Sequence, residues 1–194
     1  MPYDQHIARV NQRKEELKSV LEKELLGTSN ISLEIGCGHG HWLVDYARTN
    51  PEKFCVGVDM MGSRIRRCLK KQERSELTNL RFIQGEAFEV LETLSQGIAL
   101  REVFILFPDP WPKKRHWKNR ILNPKFLSQL ANFCQVGVIT HFRTDVEDSF
   151  TWSTEVVSEH SDWEIATDVK WPFERATVFQ ERSESYHSLI FRRI

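Results

Sequence analysis

The chain has 194 residues, 27 Lys and Arg against 27 Asp and Glu, and 40% hydrophobic residues, which fits one domain with a substantial core. The balanced charge argues against a general nucleic-acid coat protein, which would be strongly basic throughout, but it allows a local basic surface. No N-terminal apolar stretch follows a basic region and there is no run of 18 apolar residues, so we expect a cytoplasmic protein that does not bind a membrane.

The four cysteines are Cys37, Cys55, Cys68 and Cys134. None of them forms a C-x-x-C pair, so their spacing indicates neither a zinc site nor a disulfide framework. We therefore expect free thiols in a reducing compartment and predict no metal site.

The first segment, residues 1–27, is predicted to be an N-terminal helix docked on the rest of a single domain that spans residues 1–194. Apolar residues recur at helical spacing between residues 4 and 26, and Gly27 ends the pattern. A helix that binds a partner protein is the alternative.

From residue 30 onwards, short apolar strands alternate with helices. We predict strands before Gly36 and at 54–58, 80–84, 103–107 and 136–142, and helices near 41–49, 62–75, 124–134 and up to 159. Residues 163–166 and 186–193 are predicted to be an antiparallel pair at the sheet edge. This alternation predicts an α/β fold with a doubly wound, mostly parallel seven-stranded sheet.

The loop after the first strand contains Gly36, Gly38 and Gly40. The dinucleotide-binding pattern would place its third glycine at the position of His41, and the Walker pattern is absent. A glycine loop alone is weak evidence for any one cofactor.

Acidic residues at strand ends narrow the choice of cofactor. In a parallel sheet the carboxyl ends of the strands meet at one edge, where five carboxylates would repel a pyrophosphate and suit a ligand with hydroxyls, an amine and a sulfonium. We therefore predict S-adenosylmethionine as the cofactor, although any single acid could instead be a helix N-cap. The five acids are Glu34, Asp59, Glu86, Asp109 and Asp145.

A proline-rich loop and a basic segment follow the fourth strand. Three prolines fix the backbone around Asp109, and Trp111 between them could stack on a base or close the site. We expect the basic segment, and more weakly the helix at 62–75, to grip RNA phosphates. A solvated charge run is the alternative. The cations of the segment are Lys113, Lys114, Arg115, Lys118 and Arg120.

Five motifs in this order resemble the bacterial tRNA (guanine-N7)-methyltransferases, which are class I S-adenosylmethionine-dependent enzymes with a Rossmann-like fold. The motifs are LEIGCGHG at 33–40, NPEKFCVGVD at 50–59, FPDPWPKKRH at 107–116, FRTD at 142–145 and TVFQER at 177–182. The proline-rich motif is nearly diagnostic, whereas the glycine loop marks only the superfamily.

The resemblance implies methyl transfer to guanine N7 in tRNA, at position 46 of the variable loop in tRNA numbering. It implies Asp109 as the catalytic acid and, with the glycine loop, a cofactor site formed by Glu34, Gly36, Gly38, Gly40, Asp59, Glu86 and Asp109. The implied contacts to RNA or the target guanine are Lys113, Arg115, Asp145, Thr177, Gln180 and Arg182.

Three positions depart from the family pattern: Asp59 replaces Glu, Glu86 replaces Asp, and Gln180 replaces Glu. Two alternatives follow. A methyltransferase acting on an exocyclic amine would need an Asn/Asp-Pro-Pro-Tyr loop, and this chain has Asp-Pro-Trp-Pro at 109–112. A non-catalytic RNA-binding homologue would have lost activity at Gln180. We expect tRNA as the partner, no obligatory protein partner, and a monomer or homodimer.

Overall fold

The structure is a computed structural model that describes residues 3–175 and 185–194. Its helices are α1 (Tyr3–Glu24), α2 (His41–Thr49), α3 (Gly62–Ser75), α4 (Ala87–Thr93), α5 (Pro124–Ala131) and α6 (Glu147–Ser158), with a 3₁₀ helix at Lys114–Asn119. Its strands are β1 (Asn30–Ile35), β2 (Cys55–Asp59), β3 (Leu80–Gln84), β4 (Ala99–Leu106), β5 (Cys134–Thr144), β6 (Trp163–Ile165) and β7 (His187–Arg193). None of the described helices is both long and apolar enough to cross a membrane.

The described strands form one seven-stranded sheet in the order β3-β2-β1-β4-β5-β7-β6. Strands β1 to β5 are parallel to one another, and β7 is antiparallel to both β5 and β6. The predicted doubly wound, mostly parallel sheet with an antiparallel C-terminal edge pair is confirmed.

The core has two layers, one on each face of the sheet. Along β4, Val103 and Ile105 join the cluster that also contains side chains of α1, α4, α5 and α6. Phe104 and Leu106 point to the opposite face, where α2 and α3 pack. This alternation is the period of two that a strand imposes on its side chains, and burial on both faces explains why β4 ends in a continuous apolar run.

The helix α1 packs on the body of the protein through Leu17 and Leu21, and Leu25, directly after the helix, is buried as well. Two ion pairs join it to α4, between Arg13 and Glu89 and between Lys14 and Glu92. Leu17 also lies against Gly85, where an added Cβ would be 3.3 Å from its methyl carbons. The helix α1 therefore supports the turn between β3 and α4.

Several elements differ from the sequence predictions. The helix α4 was not predicted, because its seven residues are too few for a clear helical period. Helix α5 ends at Ala131, and Cys134 already belongs to β5. Strand β4 begins at Ala99 although Arg101 and Glu102 interrupt its apolar pattern, because Glu102 accepts hydrogen bonds from Tyr46 and Lys53.

Arg120 is not part of the basic surface, so its predicted role in gripping phosphates is wrong. It is only 2% exposed, and its Nε donates to the carbonyl of Pro110 (2.9 Å) while its Nη1 donates to the carbonyl of Asp148 (2.8 Å). Its guanidinium also lies 4.4 Å from the centre of the Trp117 ring. Arg120 therefore ties the proline-rich loop to the start of α6.

We expect Arg120→Ala to lower the free energy of unfolding by about 2–4 kcal/mol, because it removes a buried guanidinium and leaves two partly buried carbonyls without this donor. Lys118→Ala removes an exposed cation from the same segment and should change stability by less than about 0.5 kcal/mol. Chemical denaturation of both variants measures this difference. Equal stability of the two variants would show that the Arg120 hydrogen bonds contribute nothing.

Candidate functional site

A cavity of about 580 Å³ opens at the carboxyl ends of the parallel strands. Residues from the loop after β1, the end of β2, the turn after β3 and the loops after β4 and β5 line it. Strands β1 and β4 lie next to each other there, and the chain winds outward from them in opposite directions. This is the topological switch point, where open α/β sheets bind their ligands.

The five strand-end carboxylates of the sequence prediction all line this one cavity. Two are buried, one is half-buried and two are exposed at its mouth. The sequence therefore located the acidic edge correctly, and the structure adds the order of burial. From the floor outward they are Glu34 and Asp59, then Glu86, then Asp109 and Asp145.

The glycine loop needs glycine for two different reasons. Gly36, Gly38 and Gly40 have positive φ values of 73°, 55° and 70°, which residues with a Cβ rarely adopt. At Gly40 a Cβ would also lie 2.6 Å from a ring carbon of Phe82. Gly36 and Gly38 line the cavity, whereas the close approach of Phe82 gives Gly40 a packing role; its predicted cofactor contact stays a prediction.

Asp59 is held in place by the protein itself. One carboxylate oxygen accepts hydrogen bonds from the backbone N–H of Gly38 (3.1 Å) and from Arg64 (3.2 Å), and the other accepts from the N–H of Met61 (2.8 Å). These donors fix the carboxylate at the end of β2 before any ligand arrives. Sequence analysis missed the pairing with Arg64, whose only signal is its position five residues after Asp59 on the helix that follows.

Glu34 lies in a different electrostatic environment from Asp59. Its side chain is 3% exposed, and within the described part of the chain its Oε2 is buried with no hydrogen-bond partner. Burial, with smaller contributions from Cys68 and the Asp59 carboxylate, raises the pKa of the Glu34 carboxyl to about 8. A ligand that brings a donor or a positive charge to Oε2 would satisfy this group.

Glu86 lies at the start of α4 and at the edge of the cavity. Its side chain accepts a hydrogen bond from the backbone N–H of Glu89 (3.2 Å), so it is the N-cap of α4. It also lines the cavity. Arg13 of α1 binds Glu89 in turn, which connects α1 to this side of the site.

The proline-rich loop is more strained than its sequence indicates. Phe107 and Trp111, which flank the Pro108–Pro110 segment, both have positive φ values, 51° and 45°. Such a backbone costs about 1–3 kcal/mol at a residue with a large side chain and is typical of functional sites. The loop carries Asp109 to the mouth of the cavity, and Trp111 forms part of the cavity wall.

The remaining predicted substrate residues divide into three groups. Lys113 and Arg115 are exposed beside the cavity mouth, and Arg115 donates to the ring of His116. Asp145 lines the cavity. Thr177, Gln180 and Arg182 lie outside the described residues.

The basic helix α3 does not present all of its cations as an open surface. Arg64 binds Asp59, Arg67 contacts His39, and Lys71 donates to the carbonyl of His39 (2.8 Å). Much of its charge therefore stabilises the glycine loop. In the described part of the chain, no group of three or more His, Cys, Asp or Glu residues is arranged to hold a metal ion.

Two solved structures of methyltransferases share this fold. The 16S rRNA methyltransferase KamB aligns with a TM-score of 0.64 at 17% identity, over 90% of this chain and 93% of that one. The aminoglycoside resistance methyltransferase NpmB1 aligns with a TM-score of 0.61 at 17% identity, over 91% and 93%. At this level of identity the likeness shows the fold alone.

Sequence comparison identifies nearer relatives. The tRNA (guanine-N(7)-)-methyltransferase of Prochlorococcus marinus is 33% identical over 142 residues, 71% of this chain and 68% of that protein. The enzyme of the same name from Nitrosococcus oceani is 35% identical over 153 residues, 78% of this chain and 65% of that protein. The chain thus spans about two thirds of the length of these relatives, and less of others, such as 56% of the Nitrosomonas eutropha enzyme.

Residues 28–192 also match a family described as "Putative methyltransferase". This match covers the glycine loop, the proline-rich loop and all seven strands of the sheet except the last residue of β7. The chain therefore belongs to the family of the tRNA (guanine-N7)-methyltransferases.

Proposed function

We propose that this protein transfers a methyl group from S-adenosylmethionine to N7 of a guanine in tRNA, at position 46 of the variable loop. One observation carries the proposal: the cavity at the switch point is lined by buried carboxylates at its floor and by Asp109, on a strained loop beside exposed cations, at its mouth. Acceptor and donor would meet where that loop overhangs the cavity. The names of the family relatives support guanine N7 as the acceptor.

The residues of the cavity fit the proposed cofactor. The unpartnered Oε2 of Glu34 suits an ammonium group, and Gly36 and Gly38 leave room for a ligand to approach their backbone closely. Asp59 and Glu86 would accept hydrogen bonds from hydroxyl or amino groups on the other side. When bound, S-adenosylmethionine supplies a methyl group on a positively charged sulfur, which is already a good electrophile.

Little proton chemistry is needed on the acceptor. Guanine N7 has an in-plane lone pair and no proton, so no general base has to create the nucleophile. The protein then contributes chiefly by holding the reacting groups in line, which is worth about 7–11 kcal/mol in well-oriented reactions. Asp109 would stabilise the positive charge that forms on the guanine ring.

Four exposed cations beside the cavity would bind tRNA phosphates: Lys113, Lys114, Arg115 and Lys118. Such contacts orient the RNA without reading its sequence. All four cysteines are free and buried, which is consistent with a reducing compartment, and we propose that the protein acts in the cytoplasm.

The first test measures the proposed reaction and the contribution of Asp109 to its rate. Wild-type protein incubated with S-adenosylmethionine and a tRNA transcript should form 7-methylguanosine, detected by reduction and aniline cleavage of the RNA. Asp109→Asn should lower the single-turnover rate at least ~100-fold, or ~2.7 kcal/mol, because it removes the charge and keeps the size of the side chain.

A transcript made with 7-deazaguanosine is the matched control, since it lacks only the acceptor nitrogen. Methylation of that transcript would place the methyl group elsewhere and overturn the proposal of N7. A near-normal rate for Asp109→Asn would show that this residue only fixes the loop.

The second test concerns the floor of the site. The pKa of Glu34 is 4.5 in the unfolded chain and about 8 in the folded protein. The protonated group therefore contributes its full stabilisation below pH 4.5, and this contribution is lost as the pH rises through about 8. Glu34→Gln removes this loss, so the ligand-free variant should melt about 3 °C or more above the wild type near pH 8.5. The same variant should bind S-adenosylmethionine at least ~10-fold more weakly in calorimetry.

Asp109→Asn is the control for the melting experiment, because Asp109 is an exposed carboxylate of the same cavity. Its melting temperature should follow the wild type at each pH. Equal melting of Glu34→Gln and the wild type at pH 8.5 would mean that Glu34 carries no unfavourable charge.

The third test concerns the basic segment. Removing Lys113 and Arg115 together by substitution with Ala should weaken tRNA binding and reduce the slope of log K against log salt by about 1.4–1.8. Lys18 and Lys23, which are exposed on α1, provide a control pair with the same change in net charge. If both double variants alter the slope equally, the segment makes no specific phosphate contacts.

A further inference from the structure

Arg143 is a buried charged residue that the sequence analysis noted only as part of a motif. It lies at the end of β5, two residues before Asp145, and its side chain is 4% exposed. A guanidinium that is this far from water requires several well-placed partners. The side chains that contact its guanidinium come from chain segments distant in sequence.

The partners of Arg143 lie on two stretches of chain. Its Nη1 and Nη2 donate to the two carboxylate oxygens of Glu174 (3.0 and 2.7 Å), and its Nε donates to the Ser188 hydroxyl (3.0 Å). The guanidinium also stacks 3.7 Å from the Trp171 ring centre and 4.7 Å from that of Tyr186. One side chain thus joins the 171–175 stretch and the start of β7 to β5.

The same cluster supports the loop that carries Asp109. The backbone carbonyl of Arg143 accepts a hydrogen bond from the N–H of Phe107 (2.8 Å). The Tyr186 ring packs edge-on against the Phe107 ring at 6.3 Å between centres. Phe107 has the strained φ of 51°, and such a conformation persists only where the surroundings enforce it.

We propose that Arg143 is a positioning residue for methyl transfer. By stacking on Tyr186, it presses that ring against Phe107 and so fixes the starting point of the Asp109 loop. The proposal rests on the proposed function, because it concerns the geometry of guanine at the Asp109 end of the cavity.

Lysine cannot replace arginine in this role. A lysine keeps the charge but lacks the planar fork that binds Glu174 with two hydrogen bonds and stacks between two rings. Arg143→Lys should therefore lower the single-turnover rate at saturating tRNA and cofactor at least ~10-fold, because small displacements of reacting groups have large effects on rate. The dissociation constant for S-adenosylmethionine should stay within about twofold of the wild type, since Arg143 is not among the residues that line the cavity.

Variants at two other residues keep the test valid if Arg143→Lys does not fold. Glu174→Gln removes one charge from a side chain that is 60% exposed, and it should lower the rate about threefold or more by loosening the guanidinium. Tyr186→Phe keeps the ring and should have a near-normal rate, whereas Tyr186→Ala should resemble Arg143→Lys.

Arg192→Lys is the matched control. Arg192 lies on the same strand pair and binds both carboxylate oxygens of Asp168 at 2.7 Å, but its register partner is Ile139, at the other end of the β5–β7 pairing. This variant should keep the wild-type rate. A loss of rate equal to that of Arg143→Lys would show a general effect of the β5–β7 pairing and overturn the proposal.

Hydrogen exchange gives a readout that does not depend on activity. In Arg143→Lys the amide of Phe107 and those of residues 173–175 should exchange faster, while amides of the glycine loop should not change. Unchanged exchange at Phe107 would overturn the proposal. So would a rise in the dissociation constant for S-adenosylmethionine as large as the loss of rate. If the wild type methylates no tRNA, the proposed function fails, and exchange at Phe107 alone then decides whether Arg143 holds the Asp109 loop.

Discussion

The site depends on two neighbouring buried carboxyl groups that differ in the hydrogen bonds they receive. Asp59 receives three hydrogen bonds from Gly38, Met61 and Arg64, and these bonds shape the glycine loop and join it to α3. Glu34, on the adjacent strand, has an oxygen without a partner in the described structure. The site is therefore rigid on one side and electrostatically unsatisfied on the other. A ligand with a cationic group gains affinity from relieving that imbalance, which a neutral floor would not offer.

Two buried arginines hold the proline-rich loop from its two ends. Arg120 binds the carbonyl of Pro110, and the backbone of Arg143 binds the N–H of Phe107. The three prolines restrict the loop's own freedom, but they cannot supply the positive φ values at Phe107 and Trp111. Those values need external contacts, and both arginines provide them. The position of Asp109 therefore depends on contacts from several elements at this end of the sheet.

The sequence was sufficient for features that depend on local pattern. Apolar runs located the strands, and their alternation with helices gave the parallel order that brings five acids to one edge. The sequence could not show which cation of the basic segment is buried. Lys118 is exposed and Arg120 is buried, although the two residues are two positions apart and carry the same charge. The role of Arg143 was also out of reach, since Glu174 and Ser188 are 31 and 45 residues away. Long-range pairing of that kind leaves no periodicity in the sequence.

The position of β7 has a consequence for how the protein is made. This strand lies between β5 and β6 in the sheet but follows both of them in the chain. During synthesis β6 has no neighbour to pair with, and β5 presents an open edge, until the ribosome has released β7. Unpaired strand edges on incomplete chains are sites of aggregation. The nascent protein thus passes through an interval in which it is exposed to aggregation, and that interval ends with the strand that completes the contacts of Arg143.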